Sequence, residues 1–155
     1  MNAADANPVT IVLAEDDDGH ATLIQRNLER AGLANGFLRL RDGQEALDFF
    51  RGEGAHAGRV LDPSLLLLLD IKMPRVDGVE VLRVLKADPR TALIPVIMLT
   101  TTDDPREVQR CYQLGCGVYV TKPVDYQAFI DAVKRLGLFL QVVRAPQSGR
   151  PGGAA

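Results

Sequence analysis

Only two cysteines, Cys111 and Cys116, occur among the 155 residues. Two thiols make neither a disulfide framework nor a four-ligand zinc site, so both read as reduced thiols. No long hydrophobic run is present. The purest, Leu65 to Leu69, is far short of the roughly 18–20 apolar residues that a membrane-spanning helix needs. Neither sign of charge is in large excess: 18 Lys+Arg stand against 20 Asp+Glu, a formal net charge of −2. The cationic surplus of a nucleic-acid binder is therefore missing. The opening stretch MNAADANPVT has no basic flank and no apolar core. It does not read as a signal peptide, and the cytoplasm is the expected compartment. What remains is ordinary globular composition, 46% hydrophobic and 25% charged, at a length that suits one domain. Disorder throughout is excluded.

Residues 1–8 read as a short lead-in and 144–155 as a disordered tail of mostly small residues and proline. The folded domain is expected over 9–143. Strand-like apolar runs fall at Val9–Ala14, Phe37–Arg41, Ser64–Asp70, Pro95–Thr100 and Gly117–Thr121. Helical spacing falls between and after them, at Asp18–Ala31, Asp42–Arg51, Asp77–Ala87, Asp104–Leu114 and Asp125–Phe139. Gly32 and Gly115 read as helix stops, and Pro105 suits a first helical turn. Asp17 or Asp18, Asp103–Asp104 and Asp125 are expected as caps. Phe49 and Phe50 are expected to split between core and partial exposure. Near-continuous apolar strands suit a sheet covered on both faces. A β-α unit repeated five times predicts an α/β fold, a doubly wound parallel sheet with helices on both sides.

Ligands in such sheets sit beyond the carboxyl ends of the strands. Glu15-Asp16-Asp17-Asp18 follows the first strand, Asp70 ends the third, Thr100 ends the fourth, and Lys122-Pro123 follows the fifth. Two carboxylates about 4 Å apart repel by roughly 4 kcal/mol at an effective dielectric near 20. Acids converging there need cations or raised pKa values. Lys122 supplies one charge. Oxygen ligands without His or Cys favour Mg²⁺ for the rest. An open Mg²⁺ site with a lysine suits phosphoryl transfer, and a carboxylate can be the nucleophile.

These residues resemble a known family, the receiver domains of two-component response regulators. The resemblance rests on Glu15-Asp16-Asp17, on Asp70-Ile71-Lys72-Met73-Pro74 with Asp77-Gly78, on Thr100, and on Tyr119-Val120-Thr121-Lys122-Pro123. It covers roughly residues 9–140. It implies a flavodoxin-like five-stranded sheet in the order 2-1-3-4-5. It implies Asp70 as phosphoacceptor from a sensor histidine kinase. Asp16, Glu15 through water, Asp70 and the Lys72 backbone carbonyl would hold Mg²⁺. Lys122 would pair with the phosphate, aimed by a cis bond to Pro123. Thr100 and Tyr119 would switch the surface around the fourth helix, the fifth strand and the fifth helix, Tyr119 moving from exposed to buried.

A narrower resemblance is to the single-domain regulators that partner phytochrome kinases. It rests on the long connection Gly52–Pro63, the stretch Ile94–Thr101 and the apolar extension Leu136–Val143. That extension is apolar on more than one helical face. It suggests a homodimer through Tyr112, Leu136, Phe139, Leu140 and Val143. Output through protein contacts rather than DNA is the expectation, because only 12 residues follow Val143.

Other classes fit less well. A haloacid-dehalogenase phosphatase needs a second acid two residues after its nucleophile, where Lys72 stands, so external-substrate turnover is not expected. A Rossmann domain needs glycines where the four acids stand. A non-phosphorylated pseudo-receiver scaffold would need none of the site residues. His20 and His56 have no ligand partner at motif spacing.

Overall fold

The computed structural model describes residues 9–33, 36–61, 64–101, 104–122 and 125–136. The lead-in, the tail, Asp103, the Pro123 peptide bond, and the interface candidates Phe139, Leu140 and Val143 lie outside them. Five parallel strands form one sheet in the order β2-β1-β3-β4-β5. They are β1 (Thr10–Ala14), β2 (Gly36–Leu40), β3 (Leu65–Asp70), β4 (Val96–Thr100) and β5 (Val118–Thr121). The helices are α1 (Asp18–Arg30), α2 (Gly43–Arg51), α3 (Gly78–Ala87), α4 (Pro105–Leu114) and α5, helical over 126–136.

Alternation along the strands divides the core in two, because successive side chains leave opposite faces of a sheet. Val12, Leu67, Leu69 and Met98 share one face with Ala46, Phe50, Val81, Leu82 and Cys111 of α2, α3 and α4. Ile11, Leu13, Leu66, Leu68 and Ile97 share the other with Ala21, Ile24 and Leu28 of α1 and Phe129 and Val133 of α5. β3 lies at the centre and all six of its residues are buried. Each buried leucine there contributes roughly 1.5–3 kcal/mol of transfer free energy, which explains a strand apolar on both faces.

Aspartates start the helices as the sequence suggests. Asp17, Asp42, Asp77 and Asp104 each accept a backbone N–H from the first turn of α1, α2, α3 and α4. Asp125 Oδ2 accepts the Ala128 N–H at 3.1 Å. Two expectations need correction. β2 runs from Gly36 to Leu40, one residue earlier than its apolar pattern suggests, because Gly36 pairs with Thr10 at the start of β1. Phe49 and Phe50 do not split: both are 3% exposed. A 3₁₀ turn at Gly54–His56, absent from the sequence reading, places the His56 ring edge-on to Phe49 at 5.3 Å, and the Arg59 guanidinium lies 4.9 Å over the same Phe49 ring.

Candidate functional site

The acids after β1 take three different jobs. Asp17 is the cap, its Oδ1 accepting the His20 N–H at 2.8 Å. Asp18 faces the β2 side, where its Oδ1 lies 2.6 Å from Arg39 Nη1 and 3.1 Å from Arg41 Nη1. Those bonds hold the Asp18 carboxyl below the usual carboxylate range. Glu15 is buried and turns toward β3 and β5, and Asp16 is exposed above it. Arg39 also donates from Nε and Nη2 to the Glu15 carbonyl oxygen, at 3.0 and 2.8 Å. One guanidinium thus fixes the loop that presents both acids.

β3 delivers Asp70, whose side chain is 7% exposed. The loop behind it is tight: the Gly78 N–H donates to the Ile71 carbonyl at 2.7 Å. A Cβ on Gly78 would lie 2.1 Å from the Asp70 carbonyl oxygen, so only glycine lets α3 start so close. Thr100 ends β4 and is fully buried. Its carbonyl accepts the Lys122 N–H at 2.6 Å, which carries the lysine in from the end of β5. Lys122 Nζ lies 2.6 Å from Glu15 Oε1 and 3.6 Å from Asp70 Oδ1, with its side chain 7% exposed.

Glu15, Asp16 and Asp70 each offer a carboxylate oxygen, all within 4.8 Å of one another. Burial pushes the Asp70 carboxyl up to about 7, and the Glu15 charge adds to it. Lys122 offsets only part of this. Three carboxylates facing one ammonium leave the cluster short of positive charge. An all-oxygen donor set at this spacing fits a divalent cation. The Lys72 side chain is exposed.

The structure therefore brings Glu15, Asp16, Asp70 and Lys122 together and sets Thr100 at the end of the neighbouring strand. Tyr119 is half-buried on β5, and its N–H donates to the Tyr112 hydroxyl at 3.1 Å. Tyr112 is 47% exposed, and Leu136 is half-buried against the α1–α5 face of its own domain. Two residues escaped the sequence reading. Arg39 lies in a strand that reads only as apolar alternation, with no motif to mark its side chain. His20, far from Lys122 in sequence, lies with Nδ1 3.2 Å from Lys122 Nζ.

Residues 11–134 match the response regulator receiver domain family, and the chain belongs to it. Among curated proteins it is 38% identical over 130 residues to the probable methanogenesis regulatory protein FilR2 of Methanothrix harundinacea, covering 84% of this chain and 82% of that one. It is 32% identical over 140 residues to the response regulator Rcp1 of Synechocystis, covering 90% and 94%. The Mn²⁺-bound form of Rcp1 superposes with a TM-score of 0.70, covering 89% of this chain and 93% of that one. The bacteriophytochrome response regulator RtBRR superposes with a TM-score of 0.75 at 38% identity, covering 83% and 78%.

Proposed function

We propose that this receiver takes a phosphoryl group onto Asp70 from the phosphohistidine of a sensor histidine kinase, in Mg²⁺, and signals through protein contacts. The observation that carries this reading is the convergence of three carboxylates within 4.8 Å beside Lys122 at the carboxyl edge of the sheet. Glu15, Asp16, Asp70 and the Lys72 backbone carbonyl would hold the ion. When bound, it would neutralise charge on the carboxylates and on the transferring phosphoryl oxygens.

The ionised Asp70 oxygen attacks phosphorus, the P–N bond to the donor imidazole breaks, and the imidazole leaves with a proton from solvent. Lys122 then faces the new phosphoryl oxygens, and Thr100 supplies a hydroxyl donor from β4. The added charge biases Thr100 and Tyr119, and so the surface of α4, β5 and α5. Two residues after Asp70 stands Lys72 and not the second acid of a haloacid-dehalogenase phosphatase, which supports a role as acceptor rather than turnover enzyme.

For the partner we favour a bacterial phytochrome kinase. The likeness to RtBRR supports this, whereas the name of FilR2 points to another pathway. A homodimer through Tyr112, Leu136, Phe139, Leu140 and Val143 belongs to the same proposal. The test is transfer of radiolabelled phosphate from an autophosphorylated bacteriophytochrome kinase, with an unrelated histidine kinase alongside. Rapid transfer from the first and slow transfer from the second is expected. Equal rates would remove the phytochrome assignment and leave the receiver chemistry standing. No transfer from either would favour the scaffold.

A further inference from the structure

An ammonium has three N–H donors and no acceptor. Among the described residues, two of the Lys122 donors have partners, Glu15 Oε1 at 2.6 Å and His20 Nδ1 at 3.2 Å. Asp70 Oδ1 is 3.6 Å away, beyond hydrogen-bond length. Because lysine can only donate, a hydrogen bond between these two atoms has His20 Nδ1 as its acceptor. His20 is placed to do this by the first turn of α1, where its own N–H is held by Asp17 Oδ1 at 2.8 Å. The imidazole also has Glu15 Oε2 and Asp17 Oδ1 each 3.9 Å from Nδ1, and its side chain is 46% exposed.

We propose that His20 is a positioning residue for Lys122. Together with Glu15 it takes two of the three donors and leaves the third for the phosphoryl oxygens that arrive on Asp70. The inference rests on the reading of Asp70 as phosphoacceptor and adds a residue to that site. Without the Nδ1 acceptor the ammonium is held by Glu15 alone, and its remaining donors turn to water. An ammonium in that state must reorganise when charge develops on the phosphoryl group. One held in place does not.

The test uses the full chain with Mg²⁺ and acetyl phosphate, following the phosphoryl adduct by intact mass. His20→Ala keeps the backbone bond to Asp17 and removes the ring. His20→Asn restores an acceptor close to the position of Nδ1. His20→Ala should slow adduct formation about fivefold at saturating donor, the fraction of a charge-assisted hydrogen bond that water does not replace at a half-exposed position. His20→Asn should stay within about twofold of the unaltered chain.

A second readout does not depend on phosphorylation. In chain labelled with ¹⁵N-lysine, the Lys122 ammonium signal, identified by its loss in Lys122→Arg, should broaden in His20→Ala and return in His20→Asn. Three results would each overturn the assignment: an unaltered rate in His20→Ala, a rate in His20→Asn as slow as in His20→Ala, or an ammonium signal indifferent to His20. Absence of any adduct on the unaltered chain with both acetyl phosphate and a phosphorylated kinase would instead refute the phosphoacceptor reading, and the ammonium signal would still decide the role of His20.

Discussion

The Asp70 carboxyl is pushed up to about 7, first by burial and then by the charge of Glu15. In an unfolded chain an aspartate ionises near 3.9. Between about pH 4 and 7 the folded chain therefore keeps a proton that the unfolded chain has released. The native state binds more protons there, so this group makes stability fall as pH rises through that window. Asp70→Asn removes the buried charge. In chelator it should raise the thermal midpoint at pH 8 and leave it nearly unchanged at pH 5. Mg²⁺ acts on the same charge from outside. It should raise the midpoint of the unaltered chain more at pH 8 than at pH 5, and most of that increment should vanish in Asp70→Asn. Thermal unfolding with and without Mg²⁺ at the two pH values reads both effects. An increment of equal size in Asp70→Asn would remove Asp70 from the metal site.

At the scale of elements, two close fits aim the site. Arg39 joins β2 to the β1–α1 loop through the Glu15 carbonyl and Asp18. Its side chain is only 17% exposed. Arg39→Ala should cost about 1.5–3 kcal/mol of stability in urea unfolding, the scale of hydrogen bonds made by a charged group. It should also weaken Mg²⁺ binding. Arg39→Lys should recover little, because one ammonium cannot span both acceptors as a planar fork does. Gly78→Ala should be worse for the site. The new methyl would meet the Asp70 carbonyl, and the shift it forces moves the phosphoacceptor itself. Slower adduct formation with unchanged helix content by circular dichroism is the expected outcome. The caps and strand cores behind these fits were legible, since aspartates before helical runs and apolar strands each have one dominant cause. Arg39 and His20 were not. Their partners are fixed by the sheet order and by the first turn of α1 and the end of β5 meeting at one edge of the sheet, neither of which local spacing reveals.

At the scale of the whole molecule, the alternation of strands and helices disclosed the parallel sheet, and the strand-end residues disclosed the family. Asp70 and Lys122 stand far apart in sequence and meet because β3 and β5 both end at one edge. Their residue types carried that pairing. The packing of the 3₁₀ turn against Phe49 was not legible, because Gly54–His56 carries no apolar period. Whole-chain association is the prediction that belongs here. Light scattering at micromolar concentration should give twice the monomer mass, and Tyr112→Ala should shift the balance toward monomer. Tyr112→Ala also removes the hydroxyl that accepts the Tyr119 N–H on β5, so a change in mass should come with a change at that edge strand in hydrogen exchange.

Signalling by this chain depends on Asp70 accepting phosphate under the control of its neighbours. Intact-protein mass after incubation with acetyl phosphate and Mg²⁺ asks this directly, with Asp70→Asn and a chelator control alongside. One phosphoryl adduct per chain, lost in Asp70→Asn and lost in chelator, is the predicted result. An adduct that survives in Asp70→Asn, or no adduct on the unaltered chain with either acetyl phosphate or a phosphorylated kinase, would contradict it.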